Sequence, residues 1–349
     1  MNSIKANLFL AITEKCNLDC TYCNVHKNRV SMDINTLKSS LIYFIRKFID
    51  RNWYNIFFIW WEPLIEFNNI KKAVVLIKNL ERKLWKQFSI YIATNWTLLT
   101  EDILTFFKLN NVTISISIDS LEEKYNQRNF IQANTSSVPI INNIISLLRN
   151  YNEIIRVKMV VTPETVEKMV ENHSSIWNHW FNFINVQPAH WIYWSDENIN
   201  KYLNNYNLIK DKVINNRTSL SATFKWNESS YTSKQSTCAK WKDEIMVDNL
   251  WNVYVCDAFL AFNNSERWKY AHWNIHNKID DLNKLSTYTN WKYCNNTILW
   301  KEKDIIWCEN CNETISCSKI CNAIPINWKG LDINIIKSNF KLFKAIDEL

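Results

Sequence analysis

Three cysteines near the start of the chain form the first group of residues whose spacing could support chemistry. Cys16, Cys20 and Cys23 follow the pattern C-x3-C-x2-C within one short segment. Three thiolates on one loop can ligate three irons of a [4Fe–4S] cluster and leave the fourth iron open for a substrate or cofactor. A structural zinc site usually has four ligands and C-x2-C spacing. The pattern therefore favours an iron–sulfur cluster over zinc and over three unrelated cysteines.

A second group of seven cysteines lies closer to the C-terminus. Its members are Cys238, Cys256, Cys294, Cys308, Cys311, Cys317 and Cys321. The last four follow the pattern C-x2-C-x5-C-x3-C. In a chain without an export signal, such spacings indicate metal binding more often than disulfides. Cys294 lies between the two halves of this group and could be a further ligand or a free buried thiol.

The elements that must position the first cysteine group alternate between two hydrophobic patterns. Strand-like runs occur at about 7–13, 56–59, 89–93, 112–118, 154–161 and 182–187, and helical patterns at about 33–50, 68–86, 101–109, 138–150 and 164–180. Strands that alternate with helices predict a parallel sheet. Six such units predict a partial (β/α)6 barrel, in which function lies at the carboxyl ends of the strands. The loop that carries Cys16 follows the first strand.

The fold class predicted is α/β, with a C-terminal cysteine-rich iron–sulfur module. We expect the barrel over residues 1–215, ending in a polar helix at about 196–216. A linker at 216–234, a cysteine-rich module at 235–330 and a helical tail at 331–349 would follow. The net charge of +7 is spread along the chain and indicates no nucleic-acid partner. No apolar run reaches membrane-spanning length and no signal peptide is visible, so we expect a cytoplasmic protein.

Short motifs follow several of the predicted strands. They are Trp60-Trp61-Glu62-Pro63, Thr94-Asn95-Trp96 and Ser117-Ile118-Asp119, with Arg128 nine residues after Asp119. With these motifs in this order behind the cysteine pattern, the chain resembles the radical S-adenosylmethionine (radical SAM) superfamily. In that family the open iron of the cluster chelates S-adenosylmethionine, and an electron cleaves the sulfonium. The resulting 5′-deoxyadenosyl radical takes a hydrogen atom from the substrate.

The resemblance implies cofactor contacts at Tyr22, Trp60, Trp61, Glu62, Asn95, Ser117, Asp119 and Arg128. Tyr22 matches an aromatic position beside the adenine, and Ser117 matches a serine near the ribose and carboxylate. Arg128 matches an arginine that pairs with the cofactor carboxylate, a charge-assisted contact. Without the resemblance, Ser117 could cap a strand and Arg128 could form a surface ion pair. The family has glycines where Trp60 and Trp61 stand.

The second cysteine group resembles the SPASM extension of peptide- and protein-modifying radical enzymes. Cys238, twelve residues, Trp251, four residues and Cys256 match its first half, with Trp251 on a glycine. The resemblance implies two auxiliary [4Fe–4S] clusters, one on Cys238, Cys256 and Cys321 and the other on Cys308, Cys311 and Cys317. The family pattern ends in a further cysteine, which this chain lacks after Cys321. A two-zinc scaffold is the alternative for this module.

Asp257 directly follows Cys256 and matches the general base of the sulfatase-maturing branch. Such a carboxylate would deprotonate the substrate side chain, although Asp257 could instead cap a turn. The resemblance implies an oxygen-sensitive enzyme that acts on a peptide or protein side chain, with flavodoxin or ferredoxin as reductant. Oxidation to formylglycine, crosslinking and epimerisation all stay open. Action on a small molecule and a non-catalytic metal-bound scaffold are the alternatives.

The composition has one abnormal feature. The chain holds 1 glycine and 18 tryptophans, whereas average usage predicts roughly 24 glycines in this length. Trp60, Trp61, Trp96 and Trp251 stand where a β/α protein needs the conformational freedom of glycine. We interpret many of these tryptophans as UGA codons that the native cell reads as glycine. A protein that is truly rich in tryptophan is the alternative.

Overall fold

The computed structural model describes residues 5–181, 183–190, 192–215, 244–254 and 273–275, and six helical positions between 335 and 346. The seven cysteines of the second group, Asp257 and the predicted linker lie outside the described residues. The strands are β1 (Lys5–Leu10), β2 (Leu18–Cys20), β3 (Trp53–Phe58), β4 (Gln87–Thr94), β5 (Val112–Ser117), β6 (Arg128–Phe130), β7 (Ile155–Val161), β8 (Ile184–Pro188), β9 (Glu244–Val247), β10 (Asn252–Tyr254) and β11 (Trp273–Asn274). The helices are α1 (Ile34–Lys47), α2 (Phe67–Leu84), α3 (Glu101–Leu109), α4 (Val138–Arg149), α5 (Met169–Asn178) and α6 (Asp196–Asn215).

A nine-stranded sheet organises the molecule. Its strand order is β11-β10-β9-β1-β3-β4-β5-β7-β8. The strands from β9 to β8 in this order pair in parallel, and β10 and β11 pair antiparallel at one edge. Helices α1 to α5 connect the six strands β1, β3, β4, β5, β7 and β8. The predicted α/β fold with six βα units is therefore confirmed. No helix among the described residues is long and apolar enough to cross a membrane.

The core lies between the sheet and the helices. Alternate residues of each parallel strand are buried, as in the pattern iBiBiB of β3, where B marks a buried and i a half-buried residue. Leu8, Ile56 and Ile92 on the sheet pack in one cluster with Leu41 and Phe44 of α1. Each such side chain, when fully buried, contributes about 1.5–3 kcal/mol. This alternation explains why the strand positions could be predicted from the sequence.

The boundaries of several elements differ from the predicted ones, and two of these differences have a visible local cause. A helix was expected from residue 164, but α5 begins at Met169 after a 3-10 turn at Val166–Lys168. The Thr165 hydroxyl accepts a hydrogen bond from the Thr162 amide, which holds a turn where the helix was expected. Strand β3 begins at Trp53, three residues before the apolar run, because Trp53 and Tyr54 pair with Gln87 and Phe88 of β4.

The strand β9 returns the chain to the sheet beside β1. Asn7 donates a hydrogen bond to the Glu244 carboxylate, with Nδ2 2.9 Å from Oε1. The hairpin between β9 and β10 turns around the buried Asp248, whose carboxylate accepts from the amides of Leu250 and Asn252. The hydroxyl of Tyr254 donates to the same carboxylate at 2.8 Å. Residues 244–254 thus extend the sheet at the edge that β1 would otherwise form.

The backbone carries an unusual set of residues with positive φ. Among the described residues they are Trp60, Trp61, Trp85, Trp96, Asn111, Asn134, Trp180 and Trp251, with φ between 46° and 75°. Asparagine tolerates this left-handed region, because its short polar side chain bonds locally. For a bulky L-residue it costs about 1–2 kcal/mol, since Cβ approaches the following carbonyl. Six of these eight positions are tryptophan, which is the residue type least expected there.

The Asp33 side chain caps the N-terminus of α1, and it supplies the first testable prediction. Its Oδ1 accepts hydrogen bonds from the amides of Asn35 and Thr36, at 2.7 and 3.1 Å. Bonding to Thr36 lowers the pKa of this carboxyl. At pH 7, Asp33→Ala is expected to lower the free energy of unfolding by about 0.5–2 kcal/mol, as measured by urea denaturation. Asp33→Asn should stay close to wild type, because it keeps a capping oxygen.

The effect of Asp33→Ala should also depend on pH. A lowered carboxyl pKa stabilises the fold above the unfolded-state pKa, and this contribution is lost as pH falls through the folded-state pKa. The difference in free energy of unfolding between wild type and Asp33→Ala should therefore become smaller as the pH is lowered. If the two proteins already have equal free energies of unfolding at pH 7, the capping role is contradicted.

Candidate functional site

The first cysteine group lies on the loop between β1 and α1, at the carboxyl ends of the parallel strands. We call the residues that follow β1, β3, β4 and β5 the rim. Cys16 and Cys20 are half-buried and Cys23 is exposed, and all three thiols are free. The amide of Cys23 donates to the carbonyl of Cys20 at 2.9 Å, which closes a turn. The expectation that the cysteines follow the first strand is confirmed.

Three contacts fasten this loop to the residues between β3 and α2. The amide of Glu62 donates to the carbonyl of Lys15 at 3.0 Å. The ammonium of Lys15 lies 3.0 Å from the Glu66 carboxylate, and the Ser31 hydroxyl donates to the same carboxylate at 2.6 Å. Cys16, the residue after Lys15, is thereby held against the end of β3.

A two-stranded antiparallel sheet brings Arg128 to Cys20. Strand β2 pairs with β6, with Cys20 opposite Arg128 in the register. The Arg128 Nη1 lies 3.8 Å from the Cys20 sulfur. Burial raises the pKa of Cys20 to about 12, whereas the nearby guanidinium lowers it. The sequence analysis missed this small sheet, because three-residue strands have no readable alternation.

Asn95 places a side-chain N–H donor beside Cys16, as Arg128 does beside Cys20. Its Nδ2 lies 3.8 Å from the Cys16 sulfur and 2.7 Å from the Oδ1 of Asn17. Asn17 in turn donates to the Thr97 hydroxyl at 2.8 Å. Burial raises the pKa of the Cys16 thiol as well. Two of the three cysteines thus have a side-chain N–H donor aimed at the sulfur, and such donors stabilise a thiolate.

The cysteines fit an iron–sulfur cluster. Within the described part of the chain, no three His, Cys, Asp or Glu side chains converge as ligands of one metal ion. A cluster binds each thiolate at a separate iron, so its ligands stand further apart than those of one ion. Free thiols with N–H donors at two sulfurs are the donor set that such a cluster needs. The loop would therefore hold the cluster through Cys16, Cys20 and Cys23.

Glu62 joins the ends of β3 and β4. Its fully buried carboxylate accepts the Thr94 hydroxyl at 2.7 Å, the Asn95 amide at 2.6 Å and the Leu64 amide at 2.9 Å. These donors lower the pKa of Glu62, but burial outweighs them and raises it to about 7. Because two backbone amides and a hydroxyl already donate to this carboxylate, its role is to position Asn95. Thr94 is the partner that the sequence analysis did not assign.

Asp119, Arg128 and Tyr22 form a second buried network. The Arg128 Nε lies 2.9 Å from the Asp119 Oδ2, and both side chains are less than 10% exposed. The Tyr22 hydroxyl donates to the same oxygen at 2.8 Å, and the Arg128 guanidinium lies 5.5 Å from the Tyr22 ring centroid. The amide of Val160 donates to Oδ1 at 3.0 Å. The alternative of a surface ion pair for Arg128 is wrong, because its partner is the buried Asp119.

Three tryptophans fill the rim between these networks. The Trp61 indole donates to the carbonyl of His26 at 2.8 Å, and the Trp96 indole donates to the carbonyl of Ser117 at 2.6 Å. The Trp60 ring lies 6.4 Å from the Trp61 ring, and its buried Nε1 has no acceptor. A ligand that approaches the backbone at residue 60 or 61 meets these indoles. The rim would therefore hold the cluster, whereas the indoles at 60 and 61 crowd the backbone that a ligand beside the cluster would approach.

The predicted site residues are brought together as far as the structure describes them. Cys16 meets Asn95, Cys20 meets Arg128, and Tyr22 meets Asp119. Ser117 reaches the rim through its carbonyl, which Trp96 covers. Asn17 and Gln127 also join the site, and the sequence analysis missed them. Thr94 joins it too; the sequence analysis named it in the Thr94-Asn95-Trp96 motif but gave it no role. The signal for Asn17 and Gln127 was that each is the sequence neighbour of an assigned residue.

Comparisons with known proteins agree with this geometry. Residues 10–176 match the model of the Radical SAM superfamily. An uncharacterized protein of Methanocaldococcus jannaschii is 31% identical over 166 residues, which is 47% of this chain. The match covers 56% of that protein, so it spans about half the length of this relative.

Solved structures show the same fold. Native anSMEcpe with bound AdoMet has a TM-score of 0.66 at 17% identity, covering 99% of this chain and 100% of that one. Streptococcus suis SuiB bound to precursor peptide SuiA has a TM-score of 0.54 at 14% identity, covering 93% of this chain and 71% of that one. At these identities the similarity shows the fold alone.

The buried Glu62 carboxyl yields a prediction for stability against pH. A carboxyl whose pKa is raised to about 7 stabilises the fold below the unfolded-state pKa, and this contribution is lost as pH rises through about 7. Between pH 4.5 and 7.5 the wild-type free energy of unfolding should fall relative to Glu62→Gln, by up to roughly 3 kcal/mol. Denaturant titration at several pH values measures this difference.

The control for Glu62 is Glu171→Gln, which removes an exposed carboxylate 3.2 Å from Lys168. This variant should follow the wild-type pH profile and cost at most about 1 kcal/mol. If Glu62→Gln instead keeps the wild-type slope, the buried carboxyl is not the group that titrates.

Proposed function

We infer that this chain is a radical SAM enzyme, and the observation that carries this inference is the geometry of the cysteine loop. Three free cysteines follow β1 on a (β/α)6 sheet, and N–H donors face two of the sulfurs. The superfamily match over residues 10–176 supports the same conclusion independently. Enzymes of this superfamily use a [4Fe–4S] cluster and S-adenosylmethionine.

The bound cofactors would supply reductive cleavage of the sulfonium and a 5′-deoxyadenosyl radical that takes hydrogen from the substrate. The side chains of this chain hold and tune the site. Asn95 and Arg128 donate N–H groups towards Cys16 and Cys20, and donors at sulfur raise the reduction potential of such centres. Glu62 fixes the turn that carries Asn95. The buried Asp119 holds the Arg128 guanidinium at Cys20.

We propose that the substrate is a side chain of a peptide or protein. The spacing of the second cysteine group supports this proposal, because it resembles the SPASM extension of peptide-modifying enzymes. Two similar structures, anSMEcpe with the Kp18Cys peptide and SuiB with the precursor peptide SuiA, contain bound peptides. Two auxiliary clusters on that cysteine group, with Cys294 as a further ligand, belong to the same proposal.

Asp257 is the proposed general base. Oxidation of an alcohol carbon to an aldehyde removes a proton, a hydrogen atom and one further electron from the substrate side chain. The same losses from a thiol give a thioaldehyde, which water hydrolyses to the aldehyde with release of hydrogen sulfide. A carboxylate beside Cys256 would take the proton, and an auxiliary cluster would take the electron. A flavodoxin or ferredoxin in the cytoplasm would supply the electron that starts the reaction. Formylglycine formation, crosslinking and epimerisation differ in what the substrate loses, so product mass distinguishes them.

Release of 5′-deoxyadenosine tests the reaction class. Protein purified without oxygen from its native cells, reconstituted with iron and sulfide and reduced with dithionite, should release 5′-deoxyadenosine from S-adenosylmethionine. Chromatography with mass detection measures the product. If a loaded and reduced cluster gives no 5′-deoxyadenosine, the proposed chemistry is wrong.

Iron content tests the ligand assignment. Cys20→Ala should lose the cluster of the first loop, so that iron and acid-labile sulfide fall by about four atoms each per chain. Thr21→Ala is the matched control, because Thr21 lies in the same loop and its hydroxyl donates only to Gln127, at 2.7 Å. Thr21→Ala should keep the wild-type iron content. Equal iron in Cys20→Ala and wild type would contradict the assignment.

A further inference from the structure

We propose that residues 60, 61, 85, 96, 180 and 251 are glycine in the protein that its native cell makes. The cause would be a UGA codon that this cell reads as glycine. Glycine at 60, 61 and 96 would open the rim beside the cysteine loop. The sequence suggested miscoding from composition and from the motifs at 60, 61, 96 and 251, whereas the backbone supports those positions by conformation and adds 85 and 180.

The backbone conformation is the first support. Each of the six positions has φ between 46° and 75°. A bulky side chain with positive φ is an outlier, whereas glycine takes this conformation without steric cost. The other positive-φ residues of the described chain are Asn111 and Asn134, and asparagine is the other residue type that tolerates it. One explanation therefore covers the whole set.

The local motifs at three of these positions are ones that glycine normally ends. Trp85 ends α2 in the left-handed conformation, with φ 53° and ψ 39°. Trp180 is the second residue after α5, directly behind the C-cap His179, and has φ 75°. Helices commonly end on such a left-handed residue, usually glycine. Trp251 takes the left-handed position of the hairpin between β9 and β10, where a turn is followed by a glycine bulge.

The indoles at residues 60, 85 and 180 gain little that would offset the strain, whereas those of Trp61 and Trp96 are buried and donate to backbone carbonyls. The Trp85 side chain is 94% exposed and the Trp180 side chain is 53% exposed. The guanidinium of Arg149 lies 4.0 Å from the Trp180 ring centroid, which is a surface contact. The buried Nε1 of Trp60 has no acceptor. Six indoles spread over helix ends, a hairpin and the rim share no function, so selection for tryptophan does not explain them.

Other tryptophans in the described residues behave as tryptophan should. Trp194 is 1% exposed, donates its indole N–H to the Ala189 carbonyl at 3.0 Å and packs against Tyr202. Trp53 donates to the Ser89 hydroxyl from a strand. Neither has positive φ. The left-handed signature therefore separates six positions from the rest rather than marking all tryptophans alike.

Replacing the tryptophans at 60, 61 and 96 by glycine would open the rim. Loss of the Trp61 and Trp96 indoles frees the carbonyls of His26 and Ser117, which those indoles now cover. Loss of the Trp60 indole removes the group that stands between the backbone and an approaching ligand. The opened rim would admit a small zwitterion such as the methionine part of S-adenosylmethionine. This last step rests on the proposed function, whereas the glycine assignment does not.

Peptide mass decides the assignment directly. Tryptic digestion yields residues 87–108, in which residue 96 is the sole tryptophan of the written sequence. Protein from native cells should give this peptide with glycine at 96, and the peptide from 52 to 71 with glycine at 60 and 61. Codons for these positions in the native gene should be UGA. An indole at residue 96 in the native peptide, or UGG codons, would overturn the proposal.

Stability supplies a second test that does not depend on the native cells. A chain with glycine at residues 85 and 180 should melt above the chain that carries tryptophan there, because the left-handed strain is removed and both indoles are exposed. The matched control replaces Trp53 and Trp177 by glycine, at positions without positive φ. This control should melt below the chain that carries the tryptophans. A chain with glycine at 85 and 180 that melts at or below the tryptophan chain would contradict the proposal.

Binding of S-adenosylmethionine separates this proposal from the proposed function. With the cluster reconstituted in both chains, a chain with glycine at all six positions (the six-glycine chain) should bind the cofactor at least tenfold more tightly than the written chain, by equilibrium dialysis. If glycine at 85 and 180 raises the melting temperature but the six-glycine chain binds no cofactor, the glycine assignment holds and the proposed function fails. If both chains bind S-adenosylmethionine equally tightly, the inference that glycine opens the rim is wrong.

Discussion

The strands β1, β3, β4, β5, β7 and β8 all run in one direction, so the chain arrives at the same rim after each of them. Every functional side chain described above depends on this arrangement. It also forces the backbone to turn sharply where the strands end. The left-handed residues at 60, 61 and 96 lie at those turns, and Glu62 binds two of the turns together. The parallel direction of the strands therefore accounts both for the placement of the site residues and for the strained turns beside them.

The buried charges of the rim are placed asymmetrically about the sulfurs. Burial raises the pKa of both the Cys16 and the Cys20 thiols; Arg128 beside Cys20 opposes this rise, whereas the Glu62 carboxylate near Cys16 adds to it. Asp119 neutralises Arg128 and keeps its guanidinium in place. Removing one partner of such a buried pair costs about 3–5 kcal/mol, because the other charge is left uncompensated. The pair is therefore a structural support as well as a neighbour of the cluster.

Much of the fold could be predicted because burial alternates along the strands and recurs along the helices. Helix α3 was predicted with its observed bounds of Glu101–Leu109. Pairing that connects distant segments could not be predicted. The strand β9 joins β1 across more than 200 residues, and β6 reaches back to β2. Neither contact leaves a periodic pattern, because strands of three or four residues are too short to show one.

The candidate site, like the fold, could be predicted from the sequence only in part. Spacing alone identified Cys16, Cys20 and Cys23, since ligands on one loop are fixed by chain geometry. The order of the motifs placed Glu62, Asn95 and Arg128 at the rim. What no motif contained was the pairing among them, such as Arg128 with Asp119 or Glu62 with Thr94. Hydrogen bonds between strand ends are set by register, and register appears only when the sheet is assembled.

The scattered left-handed positions also bear on how this gene can move between organisms. They lie at helix ends, in a hairpin and around the rim, so no single compensating substitution could repair a protein translated with indoles at all of them. A recipient cell that stops at UGA would make only fragments, and one that inserts tryptophan would make a strained chain with a blocked site. The geometry of six residues would thus tie the gene to hosts that share its codon assignment. The six left-handed turns would then hinder transfer of the gene between lineages that read UGA differently.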